Sequence, residues 1–220
     1  MAKQNEHGKL IAAAAKAALT PLGFRRVGQS RTWISDERFW AIQVEFQPSG
    51  WSKGSYLNVG AAWLWHARKG LAFNVGYRVA DIIGFESIEQ FTPLIEAMAA
   101  TAAHEVMKIR ERFDSFDKIY SYLKNNLSDG WLLYHAAVAA GLARDIETSR
   151  QLFSRFDAWC DLPHWRTKIE PESRALAALL SDPPQFQAAI QAIINQCRLL
   201  NGLQSDPDCL KDVNPTLARS

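Results

Sequence analysis

From Phe39 to Gln47 the chain alternates: Trp40, Ile42, Val44 and Phe46 are set against Ala41, Gln43, Glu45 and Gln47. Such alternation predicts a strand with one covered face. A preceding strand is expected over about Phe24 to Ile34, joined through the polar turn Ser35-Asp36-Glu37-Arg38. After the breaker-rich loop Pro48 to Gly54, a third strand puts Leu57, Val59, Ala61, Trp63 and Trp65 on one side, with Asn58, Gly60 and Ala62 opposite. Beyond Ala67-Arg68-Lys69-Gly70 a fourth turns Leu71, Phe73, Val75, Tyr77 and Val79 inward. Four antiparallel strands with one polar face are the pattern of a sheet that helices cover on one side only.

Helical spacing brackets these strands. Glu6 to Leu19 aligns Leu10, Ala14, Ala17 and Ala18, and Thr20-Pro21-Leu22-Gly23 stops it. Ser87-Ile88-Glu89-Gln90 reads as a capping box opening a long helix. Its apolar stripe runs through Ile88, Phe91, Ile95, Met98, Ala102, Val106, Ile109 and Phe113. After Asp114 the pattern is helical throughout. Helices are expected over Phe116 to Leu123, Trp131 to Ala143, Ile146 to Ala158, Glu172 to Leu180 and Phe186 to Leu200, the last opened by Asp182-Pro183-Pro184. A Pro- and Trp-rich connection, Leu162 to Trp165, lies between, and the tail from Gln204 is expected to fray. The expected fold class is α+β: an N-terminal helix and four-stranded antiparallel sheet under a long helix (1–113), an all-helical part (114–203) and a frayed tail (204–220).

Composition narrows the function classes. With 48% hydrophobic residues in 220, the chain can bury a sizeable core. A net charge of +2 without a run of five like charges argues against a nucleic-acid partner. No apolar stretch nears the roughly 20 residues needed to span a bilayer, so no membrane partner is expected. Cys160, Cys197 and Cys209 follow no metal spacing and leave one unpaired, which points to a reducing, cytoplasmic setting.

Candidate chemistry is sparse. Gln43-Val44-Glu45-Phe46-Gln47 is similar to the acid-x-lysine strand of restriction-endonuclease-like nucleases, with Gln47 in the lysine's place. Metal-dependent cleavage needs a second carboxylate beside Glu45. With the turn centred on Asp36 and Glu37, Glu45 faces the region of Gly28, and Asp36 lies about 30 Å away along the strand. His104 lacks the second histidine of a zinc-protease helix, and His66, His135 and His164 have no ligand at one-turn spacing, so all four are read as structural. No phosphate loop or nucleophile elbow is present, and no cofactor is expected.

One pattern is less generic. Asn58-Val59-Gly60 recurs as Asn74-Val75-Gly76, which turns amides and bare backbone outward from neighbouring strands; paired across the Arg68-Lys69-Gly70 turn, Asn58 is expected near Gly76 and Gly60 near Asn74, in crossed order. Glycine inside a strand can mark a close approach. With Gln43, Glu45, Gln47 and Arg78 this makes a hydrogen-bonding face, flanked by Trp51 and Lys53 in the Gly-Ser loop. The candidate binding residues are therefore Gln43, Glu45, Asn58, Asn74, Arg78, Trp51 and Lys53. In the helical half, Ala136, Ala140, Gly141, Asp145, Ser149 and Phe153 resemble a single tetratricopeptide-like hairpin, which is not an array.

Leu19-Thr20-Pro21-Leu22-Gly23-Phe24-Arg25-Arg26-Val27-Gly28, then Trp33, then Ile42 to Ser49, resembles the opening of a bacterial domain-of-unknown-function family, number 4304 in that series. The likeness covers about the first 110 residues. It implies an α+β fold with a four-stranded sheet and a bacterial source, and brings no catalytic residues. The expectation is a non-enzymatic binding or interaction protein that meets a protein partner or small ligand. By family analogy it would be an accessory factor in a defence or toxin–immunity system. The alternative is a metal-dependent, nuclease-like hydrolase using Glu45.

Overall fold

The computed structural model describes residues 6–158 and 166–213; Cys160, His164 and the Leu162–Trp165 connection lie outside them. The fold is α+β, and its contacts divide into two units: 1–62 with 71–111, and 63–70 with 112–220. A short segment expected to belong to the sheet domain thus belongs to the helical unit.

The first unit opens with α1 (Glu6–Leu19), ended by a 3-10 turn over Thr20–Leu22 and by Gly23, whose φ of 83° suits a residue without a Cβ. The buried stripe of α1 is His7, Ile11, Ala14, Ala15 and Leu19, rotated from the expected one; Leu10 and Ala17 sit beside it. Five strands follow: β1 (Arg25–Arg26), β2 (Thr32–Asp36), β3 (Trp40–Pro48), β4 (Gly54–Trp63) and β5 (Val75–Gly84), antiparallel and in sequence order. There are five strands instead of four because the expected first strand is broken at 27–31. There Ser30 Oγ donates to Val27 O at 2.7 Å, and Arg26 donates to the carbonyls of Ser30 and Gln29. These local side-chain bonds fold the chain back on itself, offering the backbone an alternative to the ladder.

β5 begins four residues later than the Leu71 expected, and its register with β4 differs by two. Asn58 faces Arg78 and Gly60 faces Gly76, where crossed asparagine–glycine pairs were expected. Phe73 is the cause. Its ring lies over the glycine pair: a Cβ added at Gly60 would come 2.6 Å from the Phe73 ring, and one at Gly76 3.0 Å. The close approach signalled by the glycines is made by the chain's own phenylalanine, on the outer face and not the inner.

The inner face carries Trp33, Ile42, Val44, Phe46, Leu57 and Val59, all buried. Helix α2 (Ile88–Arg112) crosses it, burying Phe91, Ile95, Met98, Ala102, Val106 and Ile109. The Ser87 hydroxyl accepts from Gln90 N at 3.2 Å, as the capping box requires. Near its other end, Arg110 donates to Ser35, Glu37 and the Leu22 carbonyl at 2.8 Å each, fixing the helix to β2 and to the turn after α1. Tyr77 on β5 donates to the buried Glu105, which Lys108 also holds at 2.8 Å. The Lys108 and Tyr77 hydrogen bonds keep the Glu105 carboxyl below its ordinary range.

The second unit contains α3 (Phe116–Lys124), α4 (Gly130–Leu142), α5 (Ile146–Ala158), α6 (Arg166–Ala178) and α7 (Pro183–Leu200). Ser115, Asp129 and Asp182 cap α3, α4 and α7 through their side chains. Helix α4 is buried nearly all round, and Gly141 permits its approach to α7: a Cβ there would meet the Phe186 ring at 2.6 Å. In the α4–α5 hairpin Ser149 Oγ donates to Ala137 O at 2.7 Å. Asn201 ties segment 63–70 to the end of α7, donating to Arg68 O at 2.8 Å and accepting from Gly70 N at 2.9 Å. The expected fraying from Gln204 does not hold as far as Val213. Leu203, Cys209, Leu210 and Val213 are buried, and Asn195 brackets Asp206 through its N–H at 2.7 Å and its carbonyl at 3.2 Å.

Candidate functional site

Four outer-face side chains meet where β3, β4 and β5 run side by side. Asn58 Nδ2 donates to Glu45 Oε2 at 3.0 Å and to Gln47 Oε1 at 2.9 Å. Arg78 Nη2 donates to the same Gln47 oxygen at 2.9 Å, and its guanidinium lies 4.1 Å from the centre of the Tyr56 ring. The register explains the cluster. Asn58 and Arg78 are directly opposed across β4 and β5, and Tyr56 precedes Asn58 by two residues, so all three project to one side. Glu45, Gln47, Asn58 and Tyr56 are half-buried and Arg78 is exposed. The result is a held, partly desolvated patch that offers one acid, one base, amides and an aromatic ring.

Of the seven expected residues, Glu45, Asn58 and Arg78 come together with Gln47. Gln43 does not join them: it is buried, opposite Ile34 of β2, as is the neighbouring Ala41, so the outer face is covered at that end of β3. Asn74 stands before β5, its N–H bonded to Ala61 O at 2.9 Å, away from Asn58. Trp51 is 98% exposed at the tip of the β3–β4 hairpin, and Lys53 is exposed beside it. Tyr56 was missed as a site residue, although its spacing from Asn58 places it on the same face.

The hydrolase geometry is corrected in one respect. Glu45 faces Thr32, not the region of Gly28, and Asp36 faces Ala41, four residues along β3. That is about 14 Å at roughly 3.4 Å per residue, still too far to share an ion. The partner of Glu45 is an amide. Among the described residues no group of three or more His, Cys, Asp or Glu side chains is placed to hold a metal.

The tryptophans expected inward are buried, but Trp63 and Trp65 belong to the helical unit. They stack with ring centres 5.7 Å apart, and Trp63 meets Phe113 edge-on at 5.3 Å. Trp65 Nε1 donates to His135 Nδ1 at 2.9 Å. An indole N–H can only donate, so Nδ1 is bare and the proton of the neutral ring sits on Nε2, which is buried without a hydrogen-bond partner. Burial, aided by the nearby His66, lowers the His135 pKa to about 3. His66 Nδ1 lies 3.1 Å from Glu172 Oε1, and Tyr134 donates to that same oxygen at 2.8 Å. Burial and the Glu172 charge push the Tyr134 hydroxyl well up. His66 and His135 are therefore tied into the packing of the second unit by bonds that sequence spacing does not display.

Fold and patch define an α+β protein with a hydrogen-bonded sheet surface beside a protruding tryptophan. No family model, curated protein or solved structure matches the chain. Among the described residues no helix is long and apolar enough to cross a membrane.

Proposed function

We propose that this chain is a non-enzymatic binding protein that recognises a protein partner through the outer face of its sheet and the β3–β4 hairpin. The observation that carries the reading is Trp51, 98% exposed at the tip of the hairpin whose two strands carry Glu45, Gln47, Tyr56 and Asn58. Tryptophan, tyrosine and arginine are the residues that most often dominate interface energetics, and here all three lie on one hairpin and its neighbour. The hydrogen bonds within the patch hold Arg78 and Asn58 in place before any partner arrives, which lowers the ordering cost of association. The amide partner of Glu45 favours this role over hydrolysis. A place as an accessory factor in a bacterial defence or toxin–immunity system extends the proposal on the family resemblance.

The test is site-specific photo-crosslinking in the source cell, with benzoylphenylalanine at position 51 or, as control, at the exposed Lys9 on α1. A protein adduct formed from position 51 alone and lost with Arg78→Glu is expected. Purified, that partner should bind Trp51→Ala about thirtyfold more weakly, a hot-spot loss. Identical adducts from both positions, or unchanged binding by Trp51→Ala and Arg78→Glu, would refute the reading.

A further inference from the structure

On the opposite side of the sheet from the patch, α1 and the β1–β2 hairpin leave a cleft of about 460 Å³. That is within the range of small-molecule sites, which run from roughly 300 to 1,000 Å³ and are mostly apolar with a few placed polar groups. Phe24 and Trp33, both buried, line it together with Ala12 and Ala13 of α1. Its charged lining residues are Lys16, Arg25 and Arg26, and no acid lines it.

The cations are set up in different ways. Arg26 is braced by its bonds to the Ser30 and Gln29 carbonyls at 2.6 and 2.8 Å. Two of its five N–H groups are spent there, and neither faces a carboxylate. Lys16, one turn before the end of α1, is exposed and carries no ion pair among the described residues. Beyond the cleft, the Arg31 side chain bonds to the Gly54 carbonyl and His7, and its pKa is lowered by burial and then by the Arg26 charge. Lys16 and Arg26 thus bring positive charge to an aromatic-lined hollow whose lining holds no acid. Left as bare structure this arrangement is repulsive; an anion would relieve it.

We propose that this cleft is a binding site for a small amphiphilic anion: a flat or aliphatic apolar body lying on Phe24 and Trp33, with its carboxylate, sulfonate or phosphate held by Lys16 and Arg26. The site shares no residue with the Trp51 hairpin, so it stands or falls separately from the proposed partner surface.

The probe is 8-anilinonaphthalene-1-sulfonate titrated into the full chain, read by its own emission and by quenching of tryptophan fluorescence. One saturable site is expected, weakening as salt rises, because exposed charge pairs are screened. Lys16→Glu should weaken binding at least about tenfold, the loss of one charge-assisted contact. Ala12→Trp should fill the cleft and abolish binding. Ala17→Trp is the control, since Ala17 lines a separate groove between α1 and α2 but not this cleft. Near-ultraviolet circular dichroism confirms that each variant remains packed. Competition by laurate and by pyrophosphate then separates an acyl carboxylate from a phosphate as the preferred headgroup. Binding that Lys16→Glu and Ala12→Trp leave intact, or that only Ala17→Trp removes, overturns the proposal; so does the absence of any saturable binding by the probe.

Discussion

Acidification should weaken the helical unit through one residue, His135, and the size of the effect follows from its surroundings. In the folded chain the ring is buried, accepts the Trp65 indole N–H at 2.9 Å and has a pKa of about 3. In the unfolded chain it returns to the ordinary 6.5. Between those values the unfolded state binds the extra proton, so stability is full above pH 6.5 and falls as pH drops towards 3. From pH 7 to pH 5 the unfolded histidine gains about 1.5 units of protonation free energy at roughly 1.36 kcal/mol each, while the folded one gains almost none. The expected loss is about 2 kcal/mol. His135→Gln keeps an acceptor for Trp65 and removes the titration. Urea unfolding of both proteins at pH 7, 6 and 5, followed by tryptophan fluorescence, gives the difference directly. Contributions from His7, which burial also lowers, are common to both and cancel. The variant should start less stable at pH 7 by about 1–3 kcal/mol, because the replacement acceptor is imperfectly placed. Between pH 7 and 5 it should then lose about 2 kcal/mol less than the parent. Equal losses in the two proteins would show that His135 is not held neutral by burial, and the account of the Trp65–His135 bond would fail.

Other substitutions test the remaining geometry. Gly60→Ala should lower the melting temperature, at about 1–3 kcal/mol for an overpacked site, and Phe73→Ala in the same chain should recover only part of it because the Val75 carbonyl also crowds the added methyl. Asp145 has its pKa lowered to about 2, first by the Tyr120 hydroxyl at 2.6 Å, so its contribution is present above the ordinary 3.8 and is lost as pH falls through about 2. Its side chain is 34% exposed. With that screening, Asp145→Asn should cost about 1 kcal/mol in thermal unfolding at pH 7, and the gap should close in strong acid. Trp51→Ala should leave chemical stability within about 0.5 kcal/mol of the parent, because an exposed indole supports nothing in the fold.

The elements that were legible in the sequence are those whose signals are local. The long helix α2 with its capping box at Ser87, the α4–α5 hairpin and the proline start of α7 follow from spacing within one or two turns. The β1–β2 break depends on Arg26 and Ser30 bonding to nearby carbonyls, which alternation does not report. The β5 register depends on a ring, Phe73, settling over two glycines from different strands. For the site, parity placed Asn58, Arg78, Glu45 and Gln47 on one face correctly, and it would have added Tyr56. It failed for Gln43 because a two-residue period says which way a side chain points, not whether that side is covered. The His66–Glu172 and Trp65–His135 bonds join residues 106 and 70 apart in the chain, beyond the reach of any local motif.

Eight residues from the first third of the chain, 63–70, complete the helical unit, and this limits how the protein can be cut or built. A fragment beginning near residue 112 would present α4 without Trp65 for His135 and α7 without the Arg68 and Gly70 backbone for Asn201. Such a half-molecule should be sticky and poorly ordered instead of an independent module. During synthesis the same segment emerges long before the helices it serves, and must wait for them.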